Sequence, residues 1–259
     1  MNPRTFEIQV ENKARRLRAW GDPSRGPAWV LLHDGLGSLD TWRDFPADLA
    51  RASGFPVLAY ERPGYGGSEG PPRPLPEALE RETETGLPAT LEACGVERPL
   101  LLGHSDGGTL ALLAAARWTR AFRAVLVEAA HVFIEPLTAA GLEDARSAFE
   151  AGGLAQALVR HHGEGTRNVF GAWCDGWLSP GGRSWHMLDR LESITVPVVF
   201  VQGDADPYGT EAQVKAVTDR LPGRAAGLLL PGCGHAPHRE RPAAVLEAAR
   251  KLARQVDPG

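Results

Sequence analysis

An apolar run that ends in a glycine–serine turn and passes directly into a helical pattern restricts the fold of this sequence most. Residues 100–102 are typical of a buried strand, and the motif Gly-His-Ser-Asp-Gly follows at residues 103–107. The glycines leave room for a sharp turn in which Ser105 adopts a strained backbone conformation. Its hydroxyl would then stand clear of the sheet, at the start of a helix over residues 106–118. The segment therefore predicts a nucleophile elbow between a strand and a helix.

Strand-like and helix-like patterns alternate along most of the remaining sequence. Residues 6–10 and 17–20 alternate between apolar and polar side chains, which predicts an antiparallel pair at a sheet edge. Continuous apolar runs are typical of strands covered on both faces, and they occur at residues 28–32, 56–60, 124–127, 197–201 and 228–230. Helical patterns separate most of these strands, at residues 41–53 and 76–94 and in the segments that begin at Glu211 and Pro242. With the strand before Ser105, this order predicts an α/β fold, an eight-stranded and mostly parallel sheet with helices on both faces.

Residues 131–193 interrupt this rhythm between the sixth and seventh strands. They show several short helical patterns punctuated by glycine, together with the tryptophans Trp173, Trp177 and Trp185. We predict a helical cap at residues 131–193, inserted into a core domain formed by residues 1–130 and 194–259.

Charge and cysteine usage restrict the partners of the chain. The formal net charge of −4, from 28 basic and 32 acidic residues, gives no electrostatic reason to expect nucleic acid or an anionic membrane. No apolar run approaches the ~18 residues of a membrane-spanning helix, and the first residues contain no apolar leader. The three cysteines lack the spacing of a metal site or a disulfide framework. We expect a cytoplasmic monomer or homodimer that acts on a small-molecule substrate without a cofactor or metal.

Two later segments carry the partners that a serine nucleophile requires. A serine hydroxyl needs an adjacent base that a third group holds in place. After an elbow serine, the expected chain order is an acid and then a histidine. Asp206 follows the seventh strand, and His235 follows the eighth next to a glycine. We predict Ser105 as the nucleophile, His235 as the base and Asp206 as the acid.

Each of these assignments has an alternative. Asp206 precedes a proline and could simply begin a turn. Asp204 lies two residues before it, and Glu128 ends the sixth strand, where some sheets place the acid. His238 is a second histidine near His235, and a histidine in a loop is commonly only solvated. A serine elbow, an aspartate after a strand and a glycine-flanked histidine in this order favour catalysis over these alternatives.

The loop after the third strand supplies candidate donors for an oxyanion hole. Its glycines allow backbone N–H groups to approach a substrate. We expect the N–H groups of Asp106 and Leu36 to hold the oxyanion, with Gly35 as the next candidate, although a plain glycine turn would have the same sequence. The Asp106 carboxyl would either disfavour anionic acyl groups or stabilise the start of its helix.

Apolar and aromatic residues of the cap are candidates for a substrate pocket. Phe133, Phe170, Trp173 and Trp177 could line an apolar cavity together with Asp34, or the aromatic residues could pack the cap onto the core. The adjacent histidines at residues 161–162 point in different directions on a helix, which favours solvated side chains over a metal site.

Five motifs in order resemble those of the α/β-hydrolase superfamily. They are the elbow at residues 103–108, the His-Asp-Gly-Leu-Gly loop at 33–37, the acidic-x-x-Gly-x-Gly-x-Ser turn at 61–68, the acid turn at 203–206 and the Gly-His turn at 234–235. The resemblance implies a triad of Ser105, His235 and Asp206 and a cap at residues 131–193. The loop departs from the common His-Gly-x-Gly pattern, since Asp34 stands where the histidine usually stands.

The resemblance implies a serine hydrolase that works through an acyl-enzyme. We expect a carboxylesterase for small apolar or aromatic acyl groups. Carbon–carbon bond hydrolases of aromatic ring-cleavage products, lactonases and aminopeptidases of the same fold use the same triad and remain alternatives. A non-catalytic ligand-binding protein of this fold is a further alternative, although such proteins usually lack triad residues.

Overall fold

The computed structural model describes residues 2–256. Eight strands form one sheet: β1 (Arg4–Val10), β2 (Lys13–Trp20), β3 (Trp29–Leu32), β4 (Val57–Tyr60), β5 (Leu100–His104), β6 (Ala124–Glu128), β7 (Val198–Gly203) and β8 (Ala225–Leu230). Their order across the sheet is β1-β2-β4-β3-β5-β6-β7-β8. The pairs β1–β2 and β2–β4 are antiparallel, and the other neighbours are parallel. The predicted α/β fold with an eight-stranded, mostly parallel sheet is confirmed.

Eleven helices follow or separate the strands of the described chain. They are α1 (Phe45–Ser53), α2 (Glu77–Arg81), α3 (Leu87–Ala93), α4 (Asp106–Arg117), α5 (Pro136–Glu150), α6 (Gly153–His162), α7 (Thr166–Leu178), α8 (Pro180–Arg183), α9 (Glu211–Arg220), α10 (Pro237–Glu240) and α11 (Pro242–Val256). Among the described residues, no helix combines the length and the apolar composition that crossing a membrane requires.

Both faces of the central strands are buried. Val30 and Leu32 of β3 belong to one apolar cluster, whereas Trp29 and Leu31 belong to a second cluster. Because successive side chains of a strand point to opposite faces, the two clusters lie on opposite sides of the sheet. The continuous apolar run in the sequence reflects this double burial.

Strand register brings the carboxyl ends of the central strands together. Leu32 at the end of β3 lies opposite Gly103 in β5, and His104 lies opposite Glu128 at the end of β6. The loops that follow these parallel strands therefore meet at one edge of the sheet, where ligands bind in open α/β sheets.

Two of the predicted helices are less regular than their sequence patterns indicate. The helix expected over residues 41–53 is divided into a 3₁₀ turn at Leu39–Trp42 and α1, because Arg43 has a φ of 51°. The helix expected over residues 76–94 contains a π-helical turn at Glu82–Gly86.

The cap segment (residues 131–193) forms helices α5 to α8 between β6 and β7. Helix α7 lies over the start of α4, where Trp177 Nε1 donates a 3.0 Å hydrogen bond to Asp106 Oδ1. It also contacts the segment before α2, because the Ala172 carbonyl accepts a 3.0 Å hydrogen bond from the Leu75 N–H. The helices are thus attached to the core at several points, and their status as a separate domain stays a prediction.

Candidate active site

Ser105 lies on a sharp turn between β5 and α4. Its backbone has φ 53° and ψ −120°, a strained conformation for a residue with a side chain. A Cβ atom on Gly103 would overlap the backbone of Gly107, and one on Gly107 would overlap the carbonyl of Leu32. Both motif glycines are therefore required by close backbone approach, as the elbow motif predicts.

Three side chains that are far apart in the sequence form a continuous hydrogen-bonded chain. His235 Nε2 lies 3.0 Å from Ser105 Oγ, and His235 Nδ1 lies 2.9 Å from both carboxylate oxygens of Asp206. Asp206 also accepts 2.8 Å hydrogen bonds from the Tyr208 backbone N–H and from Gln202 Nε2. The acid is held on several sides, which fixes the orientation of the imidazole.

The electrostatics of these three hydrogen-bonded side chains favour His235 as the base and an ionised Asp206 as its partner. Burial opposes ionisation of Asp206, but the hydrogen bond and the charge of His235 outweigh it and lower the pKa of the carboxyl. Burial also lowers the pKa of His235, but the hydrogen bond and charge of Asp206 raise it above the ordinary histidine value. The pair therefore stabilises the imidazolium that forms when His235 takes a proton.

The alternative acids contact other groups. Asp204 accepts a 2.7 Å hydrogen bond from the Gly232 backbone N–H at an exposed turn. Glu128 Oε1 lies 2.5 Å from His238 Nδ1, and its other oxygen accepts a 2.8 Å bond from the His238 backbone N–H. His238 is thus buried and bonded to Glu128, and the histidine that contacts the Ser105 hydroxyl is His235.

A cluster of potential metal ligands lies behind the hydrogen-bonded chain. Ligand atoms of His104, Glu128 and His238 lie within 4.8 Å of one another, and all three residues are buried. A histidine and carboxylate set of this type suits zinc. These side chains already have hydrogen-bond partners within the protein, since Glu128 is paired with His238 and His104 Nε2 lies 2.7 Å from the His235 carbonyl oxygen.

The β3 loop (residues 33–38) lies beside the elbow. The Gly37 N–H donates a 3.2 Å hydrogen bond to the Asp34 carbonyl oxygen and closes a turn with Gly35 and Leu36 at its centre. In the part of the chain that the structure describes, the N–H groups of these two central residues donate to no protein acceptor. They remain available to a ligand.

Asp106 is the first residue of α4 and is completely buried beside the nucleophile. No residue of the helix can accept from its backbone N–H. Its Oδ1 accepts from Trp177, whereas its Oδ2 has no hydrogen-bond partner among the described residues. Burial raises the pKa of the carboxyl to about 6, although Arg62 and the Trp177 hydrogen bond oppose the shift. A buried carboxylate oxygen without a partner is costly, so a donor or cation that reached it would be bound favourably.

A narrow cavity of about 10 Å³ lies at Ser105. This catalytic cavity is lined by Ser105, Asp106, His131, Thr138, Leu142, Trp173, Trp177, Tyr208 and His235. Burial lowers the pKa of His131 to about 4, and the charge of His235 adds to this effect. His131 is therefore neutral near pH 7, and the walls of the cavity combine the aromatic rings of Trp173, Trp177 and Tyr208 with the polar groups of Asp106 and Thr138.

The structure separates the candidates for pocket lining into two groups. Trp173 and Trp177 line the catalytic cavity, whereas Asp34, Phe133 and Phe170 do not. Phe170 stacks on a neighbouring cap helix, with its ring centroid 3.9 Å from that of Phe149. The Phe133 carbonyl accepts a hydrogen bond from Gln213, and its backbone forms a bridge with that of His186. The Asp34 side chain is turned towards His104, with Oδ1 3.9 Å from Nδ1. These three residues do not line the cavity at Ser105, and their assignment to a wider substrate pocket stays a prediction.

Four lining residues escaped the sequence analysis: His131, Thr138, Leu142 and Tyr208. Tyr208 lies two residues after Asp206 in the same turn, and its ring centroid is 4.7 Å from that of His235. An aromatic residue so close to the acid in the sequence could have indicated a residue of the cavity wall. His131 is the first residue of the cap segment and had no such signal. His162, the second histidine of the pair at residues 161–162, is buried and hydrogen-bonded to two loops. The expectation that its side chain is solvated is therefore wrong.

Comparison with known proteins shows the family of the chain. A family model described as "Alpha/beta hydrolase family" matches residues 29–248. The chain belongs to the alpha/beta hydrolase family. The hydrolase is 28% identical to human serine hydrolase BPHL over 195 residues, which cover 70% of this chain and 63% of that protein. It is 25% identical to the proline iminopeptidase of Lactobacillus delbrueckii subsp. lactis over 260 residues, which cover 85% and 87% of the two chains.

Solved structures share the same architecture. The 2-hydroxy-6-oxo-6-phenylhexa-2,4-dienoate hydrolase of Rhodococcus superimposes on this hydrolase with a TM-score of 0.80 and 20% identity, covering 98% of this chain and 100% of that chain. At this level of identity the likeness shows the fold alone. Family membership and the hydrolase relatives together identify the chain as a hydrolase.

Proposed function

We propose that this protein is a serine hydrolase that cleaves small carboxylic esters through an acyl-enzyme. The hydrogen-bonded chain from Asp206 through His235 to Ser105 carries this proposal. Ser105 Oγ attacks the ester carbonyl carbon while His235 Nε2 takes the hydroxyl proton. The carbonyl oxygen becomes an oxyanion, which the N–H groups of Asp106 and Leu36 bind. His235 returns the proton to the departing alcohol, and the acyl group stays on Ser105.

The second half of the reaction repeats these roles with water. His235 takes a proton from water, whose oxygen attacks the acyl carbonyl, and the proton then returns to Ser105 Oγ as the acid leaves. Asp206 stays ionised throughout the reaction and orients the imidazole. The narrowness of the catalytic cavity and the aromatic rings of Trp173, Trp177 and Tyr208 favour a short acyl group.

A narrower candidate is an ester or amide whose acyl group carries an ammonium group near the carbonyl. The unpartnered Asp106 Oδ2 favours this class, because a buried carboxylate beside the acyl site attracts a cation and repels an anion. The rings of Trp173 and Tyr208 add cation–π attraction. The name of the proline iminopeptidase relative describes action on a substrate with an imino group, which is consistent with this candidate.

The triad proposal is tested with p-nitrophenyl esters from acetate to octanoate. We expect turnover of the shortest esters, a decline with chain length, and loss of turnover in Ser105→Ala. A fluorophosphonate probe labels the wild type and leaves this variant unlabelled. Turnover that persists in Ser105→Ala, or a wild type that the probe does not label, would overturn the proposal. A labelled wild type without ester turnover would direct attention to carbon–carbon bond or lactone substrates.

The charge of the acyl group is tested with a matched pair of esters. L-Valine benzyl ester and benzyl isovalerate differ only in the amino group. A charge-assisted hydrogen bond of about 1.5–3 kcal/mol predicts that kcat/KM for the valine ester is roughly 10- to 150-fold higher. Asp106→Asn removes the charge with little change of shape, so it should abolish the preference. Equal kcat/KM values in the wild type would exclude ammonium recognition and leave the ester hydrolase unaffected.

A further inference from the structure

We propose that His162 is a positioning residue, which clamps the β3 loop to the turn after β4 and thereby holds the oxyanion-binding N–H groups in place. This inference rests on the proposed function, because it assigns those N–H groups to the oxyanion. His162 ends helix α6 of the cap segment and lies 126 residues from Leu36. Three separate parts of the chain therefore meet at one imidazole ring.

Both ring nitrogens of His162 bond to backbone groups. Nε2 lies 2.9 Å from the Leu36 carbonyl oxygen, and Nδ1 accepts a 3.1 Å hydrogen bond from the Gly66 N–H. The two bonds require opposite roles, since Nδ1 must be unprotonated and Nε2 must carry the proton. A neutral imidazole in a single tautomer satisfies both contacts. A tryptophan, lysine or aliphatic side chain could not.

The carbonyl that His162 holds belongs to the turn that carries the free N–H groups. The Leu36–Gly37 peptide unit is fixed at its oxygen by His162 and at its nitrogen by the Asp34 carbonyl, 3.2 Å away. The Leu36 N–H belongs to the preceding peptide unit, which is joined to this one at the Leu36 Cα atom, so a shift of this part of the turn would displace it. Because oxyanion stabilisation depends on donors placed in advance, loosening this unit should reduce catalysis without removing any donor.

The surroundings of His162 keep the ring neutral and in place. Burial lowers its pKa, and the charge of His161 adds to this effect, whereas the Leu36 carbonyl and the Asp34 carboxyl oppose it. The Tyr65 ring packs edge-on against it, with ring centroids 5.9 Å apart. His161 differs, because it is only half-buried and lies 3.3 Å from Ser38 Oγ. His161 thus contacts the β3 loop at Ser38, whereas His162 joins that loop to the turn after β4.

Three variants of the full-length protein test the clamp. His162→Leu keeps a buried apolar side chain and removes both hydrogen bonds, whereas His162→Gln offers one amide donor and one amide acceptor in their place. Arg160→Leu is the control, because Arg160 is exposed on the same helix. The measurements are kcat and KM for the best p-nitrophenyl ester, the rate constant for fluorophosphonate labelling of Ser105, and the thermal unfolding midpoint.

We expect His162→Leu to lower kcat and the labelling rate about tenfold or more with a small change in KM, since oxyanion contacts act in the transition state. His162→Gln should recover most of the loss, and Arg160→Leu should match the wild type. A folded His162→Leu protein with wild-type kcat and labelling rate would overturn the proposal. So would a His162→Gln protein as impaired as His162→Leu, because the hydrogen bonds would then not be the cause.

A measurement on the wild type covers the case in which His162→Leu fails to fold. Long-range ¹H–¹⁵N NMR reports the tautomer of each histidine, and His162→Gln identifies the His162 signal by its loss. The proposal requires a neutral ring with the proton on Nε2. A protonated ring or a proton on Nδ1 would overturn it. This result stands even if the protein hydrolyses no ester, so failure of the clamp and failure of the proposed function are distinguishable.

Discussion

His104 Nε2 lies 2.7 Å from the backbone carbonyl oxygen of His235. The residue immediately before the nucleophile is thereby joined to the backbone of the residue that serves as its base. Burial lowers the pKa of His104 to about 4, so its ring is neutral and Nε2 must carry the proton that is donated to the carbonyl. The contact fixes the distance between the β5 turn and the loop after β8 independently of the Ser105 hydroxyl.

Replacing His104 should therefore affect both stability and catalysis. His104→Phe leaves the buried His235 carbonyl without its donor, which should lower the free energy of unfolding by about 1–3 kcal/mol. It should also lower kcat, because the His235 backbone is less restrained. His104→Gln offers a donor near the Nε2 position and should be closer to the wild type in urea unfolding and in kcat. Equal stability of His104→Phe and the wild type would show that the contact contributes nothing.

The pH dependence of hydrolysis should report the Asp206–His235 pair. The base must be unprotonated, so activity rises with pH through the pKa of His235, which Asp206 raises above the ordinary value of 6.5. Asp206→Asn removes the hydrogen bond to a charged partner and leaves burial, so the acid limb of kcat/KM should move to lower pH. The same change should lower kcat by up to about 10⁴-fold, since the tautomer of the imidazole is no longer fixed. An acid limb that stays at the wild-type pH would contradict the assignment of Asp206.

Glu128 should matter for stability and little for chemistry. Glu128→Leu leaves the buried His238 ring and its backbone N–H without their acceptors, which should cost about 1–3 kcal/mol of unfolding free energy for each group. Turnover below the unfolding temperature should remain within a few-fold of the wild type, because Glu128 contacts His238 and not His235. Asp204→Asn is a matched control at an exposed position. Loss of turnover in a folded Glu128→Leu protein would restore Glu128 as the acid.

The cost of losing Glu128 should depend on pH. Burial opposes ionisation of this carboxyl, but the charge and hydrogen bonds of His238 outweigh it and lower its pKa below 4.5. A carboxyl with a depressed folded-state pKa stabilises the protein above its unfolded-state pKa and loses this effect as the pH falls. The difference in unfolding free energy between the wild type and Glu128→Leu should therefore shrink as the pH falls below about 4.5.

The sequence predicted the sheet well because its strands are buried on both faces. Such strands appear as continuous apolar runs, and residues 28–32 and 100–102 both fall on observed strands. Strand β8 begins at Ala225, three residues before the predicted run. The apolar pattern missed its first residues because most of the strand is not fully buried. The three residues Ser105, Asp206 and His235 could be named in advance, since each lies in the loop or turn that follows a strand and the strands end at one edge.

Contacts between distant segments could not be predicted from pattern. The role of His162 depends on loops 96 and 126 residues away, and neither distance appears in any local motif. Phe170 illustrates the reverse problem. Its position among aromatic residues favours a pocket wall, yet it stacks on Phe149 within the cap segment. Helical periodicity identifies an apolar face and does not tell whether a side chain or a substrate covers it.

Gly35 should tolerate no side chain. A Cβ atom at this position would overlap both the Trp173 ring and Asp106 Oδ2, so the β3 loop or the cap segment must shift. Gly35→Ala should lower kcat at least tenfold through displacement of the loop, consistent with the large effect of a misplaced oxyanion donor. Gly165→Ala is the control, because a Cβ atom there meets no neighbour. Ester turnover and fluorophosphonate labelling of the two variants check the prediction, and a Gly35→Ala protein with wild-type rates would contradict it.

The Asp106 carboxyl should give amine-bearing substrates a pH dependence of their own. Burial raises its pKa to about 6, so the carboxylate becomes neutral as the pH falls through that value. The KM of L-valine benzyl ester should rise as the pH falls below about 6, whereas the KM of benzyl isovalerate should stay nearly constant. Protonation of His235 lowers kcat for both esters and therefore cancels in the comparison. In Asp106→Asn, the KM values of the two esters should change with pH in parallel. If the two wild-type KM profiles are already parallel, Asp106 does not bind the substrate amine, and its unpartnered oxygen serves the fold or another ligand.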